Sequence, residues 1–213
     1  MRIGILGTGD VGRALGTGFA ALGHEVMIGS RDAANPKLRD WLGKAGAHIS
    51  GGTFEQAAKF AELAVLATAW SGTENALRLA GAGHLTGKIL IDATNPLDFS
   101  TLPPTLMVGH FDSGGEQVQR WLPSARVVKA FNIVSNAHMF RPEFPGGPPD
   151  MFICGNDEAA KRDVSTVLNE FGWGVIDMGG IDGSRYLEPL AMVWIVHGFS
   201  AKSWNHAFKL LRR

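Results

Sequence analysis

The chain has 213 residues, is 45% hydrophobic, and balances 20 Lys and Arg against 20 Asp and Glu. That composition excludes intrinsic disorder, and it provides no basic field for nucleic acid and no polybasic face for a membrane; small molecules, or a second copy of the chain, remain as partners. A single cysteine, Cys154, excludes an internal disulfide, fits a reducing cytoplasm, and reads as a small buried hydrophobe.

Met1-Arg2 runs straight into a short apolar run, residues 3–6, which leaves no room for a signal peptide. Gly7-Thr8-Gly9-Asp10-Val11-Gly12 follows, then a helix-period stretch over 11–22 that stops at Gly23. A glycine fingerprint between a strand and a helix predicts a dinucleotide site. Gly7 permits the tight turn, Gly9 lets a pyrophosphate approach the backbone, and Gly12 lets the helix lie close to the strand. The free N–H groups of the first helical turn then face the phosphates. The competing reading is a tight βα turn with no ligand. The next strand, 25–28, ends in Gly29-Ser30-Arg31, where an NAD site carries an acid for the ribose hydroxyl. A hydroxyl beside a guanidinium suits a 2′-phosphate, so the expected cofactor is NADP(H), with Thr8 adding a hydroxyl on the same side. The plain alternative for Arg31 is a solvated surface arginine paired with Asp32, and Asp32, one place beyond the usual acidic position, would blunt the preference.

Beyond this point strand and helix patterns alternate. Strands are predicted over 46–50, 63–67, 88–92 and 126–130, and helices from about 54 with Thr53 and Gln56 at capping-box spacing, over 74–80 and over 116–122. Residues 93–115 and 131–149 are rich in Pro, Gly and Ser and read as long loops, which in a compact domain tend to be functional. A strand over 150–154, a helix over 157–171 and a strand over 175–178 precede a final apolar helix over 188–211, which Pro189 begins or kinks. Its Met192, Trp194, Ile195, Phe199, Trp204 and Phe208 suit either core or a dimer seam. Its longest apolar run is too short to span a bilayer of about 30 Å. The pattern predicts a Rossmann fold: a doubly wound, mainly parallel sheet with helices on both faces and a small C-terminal α/β lobe ending in a long helix. The division is residues 1–149 for the NADP-binding domain and 150–213 for the lobe, with the acceptor pocket and dimer contacts. Seven scattered histidines offer no metal-ligand spacing, and no nucleophile elbow occurs, so no metal is expected.

The glycine loop with Ser30-Arg31, Thr68-Ala69-Trp70, Asp92-Ala-Thr-Asn-Pro-Leu97, Val128-Lys-Ala-Phe-Asn132, Cys154-Gly-Asn156 and Arg185-Tyr-Leu-Glu-Pro-Leu190 occur in this order. Over essentially its whole length the chain resembles the NADPH-dependent deazaflavin (F420) reductase family, the F420-dependent NADP oxidoreductase type, in its bacterial branch. The resemblance implies a cytoplasmic homodimer that transfers hydride between NADP(H) and a small-molecule redox acceptor, a deazaflavin such as F420 or a flavin such as FMN or FAD. Carried over by residue, it assigns Gly7, Thr8, Gly9, Asp10, Val11, Gly12, Ser30 and Arg31 to the cofactor. Thr68, Ala69 and Trp70, after the fourth strand, fall where such a sheet holds ribose and nicotinamide, and Asn95 and Pro96, after the fifth, face the nicotinamide side. For Trp70 the alternative is packing under the next helix. The archaeal pattern has a histidine where this chain has Asn132, so the pocket wall there is chemically different.

Hydride transfer between two flat rings needs stacking and proximity more than an acid–base pair, so no catalytic residue is assigned. Lys129, Asn132 and His138 are candidates for touching the acceptor ring or its phosphate tail; the plain alternatives are an ion-paired strand-end lysine and a structural histidine. Two other function classes stay open: reduction of a small carbonyl or imine compound, and a non-catalytic NADP(H) sensor.

Overall fold

The computed structural model describes residues 1–213, apart from the side chain of Lys37. The chain alternates β1 (Arg2–Leu6), α1 (Asp10–Ala21), β2 (Glu25–Ser30), α2 (Pro36–Leu42), β3 (Ile49–Thr53), α3 (Phe54–Phe60), β4 (Leu63–Leu66), α4 (Trp70–Ala80), α5 (Ala82–Leu85) and β5 (Ile89–Asp92). A two-stranded excursion, β6 (Leu97–Asp98) and β7 (Thr105–Leu106), precedes α6 (Gly114–Trp121) and β8 (Arg126–Lys129). The chain then adds β9 (Asp150–Gly155), α7 (Glu158–Glu170), β10 (Gly174–Asp177) and α8 (Ser184–Ala201).

Eight strands form one sheet in the order β10-β9-β8-β5-β4-β1-β2-β3. Every pair from β3 across to β8 is parallel, β9 runs antiparallel to β8, and β10 is parallel to β9. The fold is the doubly wound, mainly parallel Rossmann class. Helices cover both faces, so β4 and β5 are buried on both sides and read as the unbroken runs Leu-Ala-Val-Leu and Ile-Leu-Ile-Asp. One face packs Leu15 and Phe19 of α1 with Val164 and Leu168 of α7; the other packs Ala57 of α3, Leu77 of α4 and Val118 of α6. Strand order reverses between β1 and β4, and a ligand crevice opens at the carboxyl ends of such strands.

Several boundaries differ from the sequence reading, each for a local reason. The final helix stops at Ala201, not 211: Lys202 takes a left-handed cap at φ 48°, and the following residues fold back. There the Trp194 indole N–H donates to the His206 carbonyl at 2.9 Å, and the Asp150 amide donates to the Phe208 carbonyl at 2.9 Å. Pro189 lies inside α8. The third strand begins at Ile49, after a turn at Gly46, and includes Gly51 and Gly52. Helix α6 starts at Gly114, because Ser113 caps it by accepting from the Glu116 amide, while its two leading glycines carry a loop signature in the sequence. Helix α4 begins at Trp70, before residue 74, and α2 has no strong period to announce it. The capping box of Thr53 and Gln56 is present.

Candidate active site

At the end of β1 the backbone turns at Gly7, φ 138°, where a Cβ would stand 2.2 Å from the Ala67 carbonyl oxygen; only glycine fits. A Cβ on Gly12 would stand 2.4 Å from the Gly7 carbonyl, so the start of α1 presses onto the turn. A Cβ on Gly9 would meet nothing, and no side chain caps the first turn of α1. The amides of Asp10, Val11 and Gly12 therefore lie in the turn whose N–H groups have no helical partner, at the positive end of a 12-residue helix. This is a fitting cradle for a pyrophosphate.

Two adjoining hollows continue from it. One of about 460 Å³ is lined by Gly9, Ala67, Thr68, Ala69, Ser71 and Asn75, among others. The second, of about 490 Å³, is lined by Thr8, Ser30, Arg31, Asp32, Asn35 and Phe54, and Thr8, Arg31 and Phe54 border both. Arg31 is exposed and has no ion pair among the described residues, so the Asp32 pairing does not occur. Asp32 instead accepts from the Ala34 amide at 2.8 Å, turning its carboxylate into the loop. Ser30 is 3% exposed; its hydroxyl donates to the Asp32 carbonyl and accepts from the Asp32 amide at 3.0 Å. Ser30 thus shapes the loop that presents Arg31. The local sequence signals Arg31 and Thr8, but not Asn35, in a turn, or Ser71 and Asn75, in the first and second turns of α4, which border the hollows without a motif of their own.

At the end of β4, Thr68 shares a hydrogen bond of 2.8 Å with Thr73. The Trp70 ring stacks on Trp121 of α6, centroids 5.6 Å apart, and packs against the core beneath α4 and α6. Packing, the alternative reading of the sequence, describes Trp70. At the end of β5, Asn95 donates to the Asn132 carbonyl at 2.7 Å and accepts from the Asn132 amide group at 3.0 Å; Pro96 is buried. The structure joins these two residues across the β5 and β8 ends.

Lys129 is fully buried, and its ammonium lies against Asp92, Glu188 and the Thr94 carbonyl, so it touches neither surface nor groove. Burial alone would depress this ammonium, but the two carboxylates more than reverse that and hold it above the ordinary lysine range. Direct contact between Lys129 and an acceptor is thus replaced by an internal ion pair. His138 donates to Asn205 at 3.0 Å and packs its ring 5.0 Å from Phe144, so it belongs with the C-terminal tail and does not line the two hollows. Burial pushes the Cys154 thiol up to about 11, partly offset by its contact with Ser184, as suits an inert core cysteine. Among the described residues no His, Cys, Asp and Glu cluster could hold a metal ion.

A family model described as NADP oxidoreductase, coenzyme F420-dependent, matches residues 2–96, from β1 through Pro96. Over 213 aligned residues the chain is 33% identical to the F420-dependent NADP reductase of Methanothermobacter marburgensis, covering 92% of this chain and 91% of that protein. The chain belongs to this family. Full-length similarity extends the family beyond Pro96 to the Lys129 and Glu188 region. A solved structure of a candidate F420-dependent NADP-reductase from Arthrobacter sp. FB24 is 43% identical and superposes with a TM-score of 0.95 over 100% of both chains. The metalloreductase STEAP3 of Rattus norvegicus is 31% identical over 90% of this chain, but the chain spans only 36% of that protein. No helix among the described residues is long and apolar enough to cross a membrane.

Proposed function

We propose that the protein is an NADPH-dependent oxidoreductase that transfers hydride between NADP(H) and coenzyme F420, with a flavin such as FMN or FAD as the other acceptor class. The observation that carries the cofactor is the exposed, unpaired Arg31 beside Thr8, across from an uncapped α1 N-terminus with open space over Gly9. Residues of the glycine loop hold the pyrophosphate, Arg31 and Thr8 the 2′-phosphate, and Thr68, Ala69, Asn95 and Pro96 flank the nicotinamide end. Bound NADPH supplies the hydride; the chain supplies alignment and exclusion of water. Membership in a family of NADP reductases supports the acceptor.

Residues 150–213 serve in this reading as the acceptor-side lobe of a cytoplasmic homodimer. Support for the dimer comes from α8, which exposes Tyr186, Val193 and Val196, and from Phe99, Leu102 and Phe111 of the loop before α6. Trp194 is 7% exposed and faces inward, so it is not a seam residue. Val193→Asp with Val196→Asp should convert a dimer to a monomer by light scattering, and an unchanged mass would remove α8 from any interface.

Anaerobic oxidation of NADPH, followed by absorbance with F420, FMN or no acceptor, tests the activity. Turnover with F420 is expected. Tight NADPH binding without turnover of either ring would move the reading to a small carbonyl or imine substrate, or to a non-catalytic sensor.

A further inference from the structure

Below the ends of β5 and β8 lies a cluster of three charges without solvent access. Lys129 closes β8, and its ammonium nitrogen lies 2.9 Å from the Thr94 carbonyl oxygen, 2.9 Å from Asp92 Oδ2 and 3.0 Å from Glu188 Oε1. The Asp92 contact is an ion pair, not a well-aligned hydrogen bond. Asp92 Oδ1 accepts from the Thr94 amide at 3.0 Å and from its hydroxyl at 2.7 Å. Glu188, from α8, accepts from the Gly114 and Gly115 amides at 2.9 Å each, in the first turn of α6. A Cβ on Gly115 would stand 2.8 Å from Lys129 Cε, so the approach of α6 requires glycine there.

Such a cluster is a weak way to hold strands together, because apolar side chains of equal volume often do it as well or better. Apolar side chains would not, however, orient the turn after β5. Three hydrogen bonds fix Thr94, one donated by Lys129 to its carbonyl and two that it donates to Asp92, and the reciprocal amide pair of Asn95 and Asn132 fixes the next residue. Asn132 also donates to the Leu187 carbonyl at 3.1 Å, beside Glu188. Between Lys129 and Asn132, Phe131 is held at φ 63°, a left-handed conformation that a bulky residue keeps only where its surroundings over-determine it. Strain and buried charge converge on the two turns that follow β5 and β8, neighbouring strands of which β5 adjoins β4 in the sheet.

We infer that Lys129, held by Asp92 and Glu188, is a positioning residue: it fixes residues 94–96 against the nicotinamide end of the crevice and ties them to α8 without touching cofactor or acceptor. This rests on the NADP(H) oxidoreductase reading. The adenosine end is held separately, by the glycine loop and Arg31. Loosening the cluster should therefore slow hydride transfer, which depends on ring alignment, more than it weakens binding.

Thr94→Val removes one hydroxyl and no charge; Glu188→Gln keeps shape and removes one charge. Each is measured for melting temperature, NADPH dissociation constant, fluorescence emission of bound NADPH, and single-turnover hydride transfer to F420. Both should fold, bind NADPH within about three-fold of wild type, shift the emission of the bound nicotinamide, and transfer hydride about 10- to 100-fold more slowly. Unchanged rate and emission in folded variants would overturn the assignment, leaving a purely structural cluster. Equal losses of affinity and rate would also overturn it, making the cluster a binding determinant. If wild type binds NADPH but does not reduce F420, only the acceptor reading fails, and a shift in emission at unchanged affinity still supports positioning. If wild type binds no NADPH, both readings fail.

Discussion

The two halves of the crevice are built in opposite ways. Over β1 and β2 the site is open to solvent: Arg31 is exposed, Gly9 borders empty space, and the contacts through which Asp32 and the buried Ser30 shape the loop lie within three residues of one another. Over β5 and β8 the polar groups are sealed inside, with Lys129 and Asp92 at 0% and Glu188 at 1% exposure, and the contacts that join the strands and helices there span 35 to 74 positions of sequence. A side chain of the open half, such as Arg31, can be replaced without disturbing the core. The sealed half cannot change one member without stranding the others, so it is suited to geometry rather than to recognition.

Removing the hub of the sealed half should have the largest effect. Lys129→Met leaves Asp92 and Glu188 buried without a counter-ion, and breaking one partner out of a buried pair costs about 3–5 kcal/mol. Urea unfolding measures it; a loss under about 1 kcal/mol would mean that water or relaxation reaches the cluster, and the contrast between the halves would collapse.

In the open half, Arg31→Ala should leave unfolding within about 0.5 kcal/mol, as for a surface substitution. It should weaken NADPH more than NADH by about 1.5–3 kcal/mol, the loss of a charge-assisted hydrogen bond. Titration calorimetry with both cofactors separates the cases, and equal losses would refute the assignment of Arg31 to the 2′-phosphate.

The smallest effect concerns the border of the sealed half. Arg120, bonded to Asp112 at 2.7 Å, holds that carboxyl down at about 2, below its ordinary 3.8. A depressed carboxyl stabilises the fold above its unfolded value, and that contribution disappears as pH falls from about 4 to 2. Arg120→Ala should shift acid unfolding upward in pH by a small amount, because Arg120 is half exposed and screened by solvent. An identical acid transition would show that the pair adds nothing.

Legibility in the sequence follows the same divide. The glycine loop, the Ser30-Arg31 end of β2 and the Thr53 capping box are local, so spacing alone exposes them. Lys129, Asp92 and Glu188 lie in separate motifs, and nothing in spacing joins a strand-end lysine to a helix residue 59 positions later; that pairing exists only after β5, β8 and α8 have packed. The end of α8 is hidden for a related reason: the apolar period continues past Ala201, while the left-handed Lys202 and the bond between Asp150 and Phe208 turn the chain back.

The turn at Asp32 bears on how the cofactor preference could be changed. A carboxylate near the end of β2 is the usual mark of an NAD site, and here one is present, tied to the Ala34 amide 2.8 Å away. In the proposed reading, removing Arg31 would take away affinity for a 2′-phosphate but would not release that acid toward a ribose hydroxyl. Conversion to NADH use is therefore a two-step change, and the second step is a backbone amide, reached by a substitution such as Ala34→Pro that alters no charge.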